Sequence, residues 1–164
     1  MKGGGDTSGA RRRTQFGVGD GPVKGACSAR KIVAGKIRTS RNSLLRAARE
    51  TEIADCKSAI TAVTDALARQ IQLLGDLEIS ESKPQVDEIR GAEGLASARY
   101  FSVFSQMLKQ QGEEFAFKSR SRRPPRDRIN CMLSLLYALG RHWCIAGLSA
   151  AGAAPFGGFL GGGG

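Results

Sequence analysis

Apolar residues recur every three or four positions through most of the chain, a spacing typical of amphipathic helices. The clearest stripe lies in residues 52–74 and comprises Ile53, Cys56, Ile60, Val63, Leu67, Ile71 and Leu74. A second stripe lies in residues 26–50 and comprises Ala26, Ala29, Val33, Ile37, Leu44, Leu45 and Ala48. Both segments are therefore predicted to be helices that bury one face.

Two later segments show the same periodicity. Residues 85–111 carry Ala92, Ala96, Tyr100, Val103, Phe104 and Met107, with a break or kink expected near Gly91 and Gly94. Residues 127–150 start at Asp127, a predicted N-cap, and carry Ile129, Met132, Leu133, Leu136, Leu139, Trp143 and Ile145. Because no segment has a strand pattern, the prediction is an all-α fold, a bundle of about four to five helices.

The 22 glycines are concentrated at the two ends of the chain. Eight lie in residues 1–25, which carry few apolar residues and no periodicity, and nine lie in residues 140–164. We therefore predict a disordered basic, glycine-rich tail over residues 1–25, a helical domain over residues 26–152 and a disordered glycine-rich end over residues 153–164.

The net charge of +10 is unevenly distributed. Residues 1–46 carry +9 and residues 118–128 carry +5, whereas residues 47–117 carry −5. Such basic blocks suit a polyanion, because cations that neutralise phosphates release condensed counterions. A soluble protein with basic tails has the same composition, so charge alone leaves both interpretations open.

Cysteine spacing argues against a zinc site, and hydropathy argues against a membrane span. The four cysteines form no CxxC pair, so a zinc site is not expected, and Cys56 and Cys131 lie in apolar stripes and look like core residues. No run of about 18 apolar residues occurs, so no membrane span is expected.

Three stretches, in this order and spacing, carry a resemblance to a known family. They read VAGKIRTSRNSLLR at 33–46, IRGAEGLASARYFSVF at 89–104 and FKSRSRRPPRDRINCMLSLLYALG at 117–140, and APFGGFL follows at 154–160. Together they resemble the integrase of CRISPR adaptation, the CRISPR-associated protein one family.

The resemblance implies a helical catalytic domain that normally follows a small β-domain, although residues 1–25 show no strand pattern. It implies an endonuclease, dependent on Mg²⁺ or Mn²⁺, that integrates spacer DNA in antiviral defence. It also implies double-stranded or branched DNA as substrate, a homodimer, a second small adaptation protein as partner and a place in the prokaryotic cytoplasm, away from membranes.

The resemblance also implies metal ligands: a Glu, a His and an Asp. The Glu of the family's GxEG motif maps to Glu93, which becomes the catalytic and metal-binding candidate. The His follows GFL, where this chain has Gly161, and the Asp lies further downstream than residue 164. We therefore expect a fragment impaired in catalysis. A non-catalytic DNA-binding remnant is the first alternative, and an unrelated helical interaction protein with basic tails is the second.

Each candidate residue also has a structural interpretation. Glu93 could be an ordinary surface carboxylate, and Asp127 and Asn130, spaced i, i+3 at a helix start, could serve only as caps. Tyr100 and Tyr137 fit core or near-core positions, and His142 fits a helix surface better than a metal site. The five arginines around Pro124 and Pro125 are either DNA phosphate contacts or a solvated loop: Arg120, Arg122, Arg123, Arg126 and Arg128.

Overall fold

The computed structural model describes residues 6–19, 21–81, 85–108 and 113–155. These residues form five α-helices: α1 (Asp6–Gly19), α2 (Pro22–Glu50), α3 (Ala54–Gly75), α4 (Val86–Ser102) and α5 (Arg128–Ala150). Two 3₁₀ turns, Phe104–Met107 and Glu113–Phe115, lie between α4 and α5. No strand occurs in these four ranges, so the predicted all-α fold is confirmed.

Helices α2, α3 and α4 pack together and enclose the hydrophobic core. The predicted stripe of α2 is buried almost throughout, as are three residues of the α3 stripe, and α4 adds two more. Apart from Thr64, the innermost side chains of these three helices are aliphatic: Val33, Ile37, Leu44, Ile60, Leu67 and Ile89. Ile53 of the α3 stripe is exposed because it precedes the first helical residue.

Helix α4 differs from its prediction in two ways. It runs unbroken through Gly91 and Gly94, so the expected break is wrong. A glycine costs a helix about 1 kcal/mol relative to alanine, and the buried contacts of Ile89 and Ala96 on either side outweigh that cost. The helix also ends at Ser102 rather than near residue 111, because the chain tightens into the 3₁₀ turn that follows.

Helix α1 occupies a segment for which the sequence predicted no regular structure. Arginine, glutamine and alanine favour helix, and two contacts hold this one in place. Nη1 of Arg11 donates to the carbonyl of Ala151, and the Gln15 amide pairs with both main-chain groups of Ala154. The expectation of a disordered tail is thus wrong within residues 6–19. Residues 1–5 and 156–164 lie outside the described residues, and the division into domains remains a prediction.

Helix α5 leaves its apolar face exposed. Only Ile129 and Asn130 are buried, whereas large apolar side chains along the rest of the helix are open: Met132, Leu135, Leu136, Leu139, Trp143 and Leu148. Tyr137 and Cys131 are also exposed, which corrects their predicted core positions. The reason is that α2, α3 and α4 close the core among themselves, and α5 contacts the Glu113–Phe115 turn and the loop before the helix instead.

By length and composition alone, helix α5 could cross a membrane, since an 18-residue stretch of it has a mean hydropathy of 1.2. Length and composition alone do not overturn the expectation of no membrane span, which remains a prediction. Core helices of soluble proteins meet the same two criteria, so they do not assign a location. The cytoplasmic location remains a prediction.

The enclosed core gives a stability prediction with a built-in control. Leu67→Ala should lower the free energy of unfolding by about 2–5 kcal/mol, because Leu67 is fully buried between helices. Leu73→Ala makes the same truncation on the same helix at a side chain that is 70% exposed, and should change stability by less than about 0.5 kcal/mol. Urea denaturation followed by far-ultraviolet circular dichroism measures both. Equal effects would contradict the described packing of α3.

Candidate nucleic-acid interface

Glu93 lies on α4 beside a cleft of about 240 Å³. Its side chain is 33% exposed, and Oε1 accepts a hydrogen bond from Nζ of Lys36 on α2 at 2.5 Å. Polar and aromatic side chains from α2, α4, the segment before α5 and α5 itself line the cleft, among them Thr39, Ser43, Ser97, Tyr100, Arg122 and Tyr137. The cleft therefore joins the predicted acid to part of the predicted basic surface.

The glycines that flank Glu93 face open space. A Cβ atom built on Gly91 or Gly94 would meet no atom within 4 Å beyond the helix's own nearby backbone. Packing within the chain therefore does not require glycine at either position.

The described residues do not form a divalent-cation site by themselves. Mg²⁺ and Mn²⁺ favour several oxygen ligands, whereas the side chain that contacts Glu93 is the cationic Lys36. Within the four described ranges, no three His, Cys, Asp or Glu residues are grouped closely enough to hold a metal ion. His142 is exposed and does not line the cleft. Glu93 is the one acid among the residues that line the cleft.

Tyr100 lies at the inner side of the same cleft, two helical turns after Glu93. Burial raises the pKa of its hydroxyl above the usual value of 10.0, and the nearby Tyr137 adds to the shift. The hydroxyl therefore remains protonated at neutral pH and can donate a hydrogen bond into the cleft.

Residues 118–127, here called the arginine loop, connect the Glu113–Phe115 turn to α5. The loop is anchored at its start by Phe117, which is buried and packs against Phe101 and Phe104 near the end of α4. At its end, Oδ1 of Asp127 accepts a hydrogen bond from the main-chain amide of Asn130. This contact confirms Asp127 as the N-cap of α5.

The five predicted DNA-binding arginines fall into two groups. Arg120 points inward and donates to Asn130, and Arg128 pairs with Glu114 at 2.5 Å. The other three, Arg122, Arg123 and Arg126, are exposed, and their side chains make no hydrogen bond or ion pair within the part of the chain that the structure describes. These three are available to bind an anion.

The free arginines surround a second cleft, of about 600 Å³, formed by the arginine loop. Lys118, Arg122, Arg123 and Arg126 line it, and Asp127 is the one acid among its lining residues. Arg122 lines both this cleft and the Glu93 cleft, so the two clefts are adjacent.

Sequence reasoning missed two residues that shape this surface. Asn130 was interpreted only as a possible cap, but its buried side chain bonds to the loop. Phe117 was not singled out, although an apolar residue directly before a basic, proline-containing stretch is a signal for an anchor. Neither contact has a periodic signature, because each joins residues on different elements.

Comparison with known proteins identifies the family. The family model described as CRISPR associated protein Cas1 matches residues 1–161. A CRISPR-associated endonuclease Cas1 of Leptospira interrogans is 42% identical over 132 residues, which cover 80% of this chain and 50% of the relative. A second, of Rhodospirillum rubrum, is 36% identical over 149 residues, which cover 91% of this chain and 42% of the relative.

The matched region spans about half the length of these curated relatives. The match extends across both clefts, since Lys36, Glu93 and the arginine loop all lie within it. The interpretation as an unrelated helical interaction protein is therefore wrong, and the chain belongs to the CRISPR-associated Cas1 family.

Proposed function

We propose that this chain is the DNA-binding helical part of a CRISPR adaptation nuclease, one that captures spacer DNA and integrates it in antiviral defence. The observation that carries the proposal is the position of three free arginines beside the cleft that holds Glu93. Relatives that match most of this chain are named CRISPR-associated endonucleases, which supports a DNA substrate.

The arginine loop suits a phosphate backbone on electrostatic grounds. A guanidinium group remains charged at all physiological pH values and can bind phosphate with two parallel hydrogen bonds. Arg122, Arg123 and Arg126 need not break an internal ion pair to do so, whereas Arg128 would have to leave Glu114. DNA binding should therefore depend mainly on these three side chains, with Arg120 acting indirectly.

Glu93 is proposed as the catalytic carboxylate and as one ligand of Mg²⁺ or Mn²⁺. Its described partner is Lys36, and it is the one acid among the residues that line its cleft, which include no histidine. A single carboxylate binds Mg²⁺ weakly. We therefore propose that the 164-residue chain binds DNA but does not cleave it alone. A homodimer and a second small adaptation protein are the partners that the family resemblance suggests.

The alternative, a DNA-binding remnant with no catalytic role, is favoured because the described residues contain no group of three His, Cys, Asp or Glu side chains that could hold a metal ion. The two proposals agree that this chain binds DNA without cleaving it alone, and they differ over whether Glu93 has a catalytic role.

The binding proposal predicts the dependence of affinity on salt. Arg122→Ala should weaken binding to double-stranded DNA and reduce the slope of log K against log salt by about 0.9, the value for one lost phosphate contact. Fluorescence anisotropy with a labelled duplex over a salt series measures both quantities. Arg69→Ala removes the same charge from an exposed position on α3 and serves as the control. Equal slopes for the two variants would contradict a role for the arginine loop.

The catalytic proposal predicts binding without cleavage. The wild-type chain, incubated with duplex or branched DNA and Mn²⁺ or Mg²⁺, should bind the DNA. It should produce no shorter DNA strands on a denaturing gel. Glu93→Gln should bind at least as tightly as wild type, because it removes one negative charge from the cleft. Cleavage by the wild type that disappears in Glu93→Gln would overturn the claim that the chain is inactive. Cleavage equal in both proteins would indicate a contaminating nuclease.

A further inference from the structure

Asn130 is fully buried in the first turn of α5 and uses its whole hydrogen-bonding capacity. Its Oδ1 accepts from Nη1 of Arg120 at 2.8 Å and from the main-chain amide of Ser121 at 2.9 Å. Its Nδ2 donates to the carbonyl of Ser119 at 2.9 Å and to Oδ2 of Asp127 at 2.6 Å. An asparagine side chain has two acceptor positions and two donors, and all four are used.

Three of these bonds reach back nine to eleven residues, from α5 into the arginine loop. A helix cap satisfies only the amides of its own first turn, and Asp127 already performs that task. Asn130 therefore fixes the path of three consecutive loop residues, Ser119, Arg120 and Ser121, relative to the helix.

Arg120 completes the same network. Nη1 also donates to the carbonyl of Ser121 at 2.7 Å, and the guanidinium carbon lies 5.5 Å from the centre of the Tyr137 ring. With Arg120 held inward, Arg122 lies where the Glu93 cleft and the arginine-loop cleft meet. The direction of Arg122 thus depends on bonds that it does not itself make.

We propose that Asn130 is a positioning residue for DNA binding: through Arg120 and Ser121 it holds Arg122 at the junction of the two clefts. The inference rests on the proposed DNA-binding function and adds that the loop must be held in one conformation for its arginines to bind phosphates together. Asn130 itself makes no contact with DNA.

The network is separate from the core, so it can be tested without unfolding the protein. The core cluster consists of residues of α2, α3 and α4 together with Val103, and it includes neither Asn130 nor Arg120. Releasing the loop should therefore leave the cooperative unfolding of α2, α3 and α4 intact.

Asn130→Asp is the sharpest variant, because it keeps the shape of the side chain and replaces two donors by acceptors. The new carboxylate would face the Ser119 carbonyl and the Asp127 carboxylate, and both contacts become repulsive. Asn42→Asp makes the same chemical and charge change at an exposed position on α2 and is the matched control.

In the full chain, Asn130→Asp should lower affinity for a DNA duplex by about tenfold relative to Asn42→Asp and reduce the salt slope. Arg122→Ala alone should weaken binding, but adding it to Asn130→Asp should cause almost no further loss of DNA affinity. This non-additivity would not arise if Asn130 had a merely structural role. Limited trypsin digestion should cut after Arg120 and Arg122 faster in Asn130→Asp than in Asn42→Asp.

Arg120→Lys provides a second test if Asn130→Asp unfolds. It keeps the charge and removes the planar guanidinium, so it should also reduce the salt slope and accelerate loop cleavage by trypsin. If the wild type binds DNA and both variants bind with the wild-type affinity and slope, the positioning role is overturned and the proposed function stands. If the wild type binds no duplex even at low salt, the proposed function fails and the positioning role fails with it.

Discussion

The rest of the structure depends on the burial of one apolar stripe of α2 against α3 and α4. Ile37 lies in that stripe and Ala96 in the facing surface of α4, and both are almost fully buried. Lys36 directly precedes Ile37, and Glu93 lies one helical turn before Ala96. Because the two apolar residues are buried against each other's helices, Lys36 and Glu93 meet at the edge of the core. The Lys36–Glu93 pair is a consequence of core packing, since both residues lie on core helices, whereas Arg122 of the arginine loop and Tyr137 of α5 complete the cleft.

The arginine loop is held by a different kind of interaction. Its ends are fixed by Phe117 in an aromatic cluster and by Asn130 in a buried polar network, and neither belongs to the core of α2, α3 and α4. Repulsion among closely spaced cations favours an open loop, so specific contacts are needed to keep it in place. The same contacts turn Arg120 inward and leave three arginines for an external anion.

The α5 helix shows the limit of pattern-based reasoning most clearly. Its apolar periodicity predicts one buried face, as that of α3 does, yet Leu67 on α3 is fully buried and Trp143 on α5 is 76% exposed. Periodicity identifies the face that would be buried, but it carries no information about the surface against which that face packs. The failed prediction concerned the partner of the helix, whereas the helix itself and its N-cap at Asp127 were correct.

By itself, the sequence determined the helices α2 to α5, the core stripe, the acid in the GxEG motif and the basic character of residues 118–128, because these follow from local periodicity, charge and motif. Tertiary structure alone decided that Glu93 meets Lys36, that Arg120 and Arg128 are bound internally, and that α1 is a helix. The physical reason is that each of these outcomes depends on contacts between residues distant in the chain, such as the 57 positions that separate Lys36 from Glu93. Helical periodicity fixes which side of each element is apolar, whereas the distances between polar groups on different elements are set only when those sides pack together.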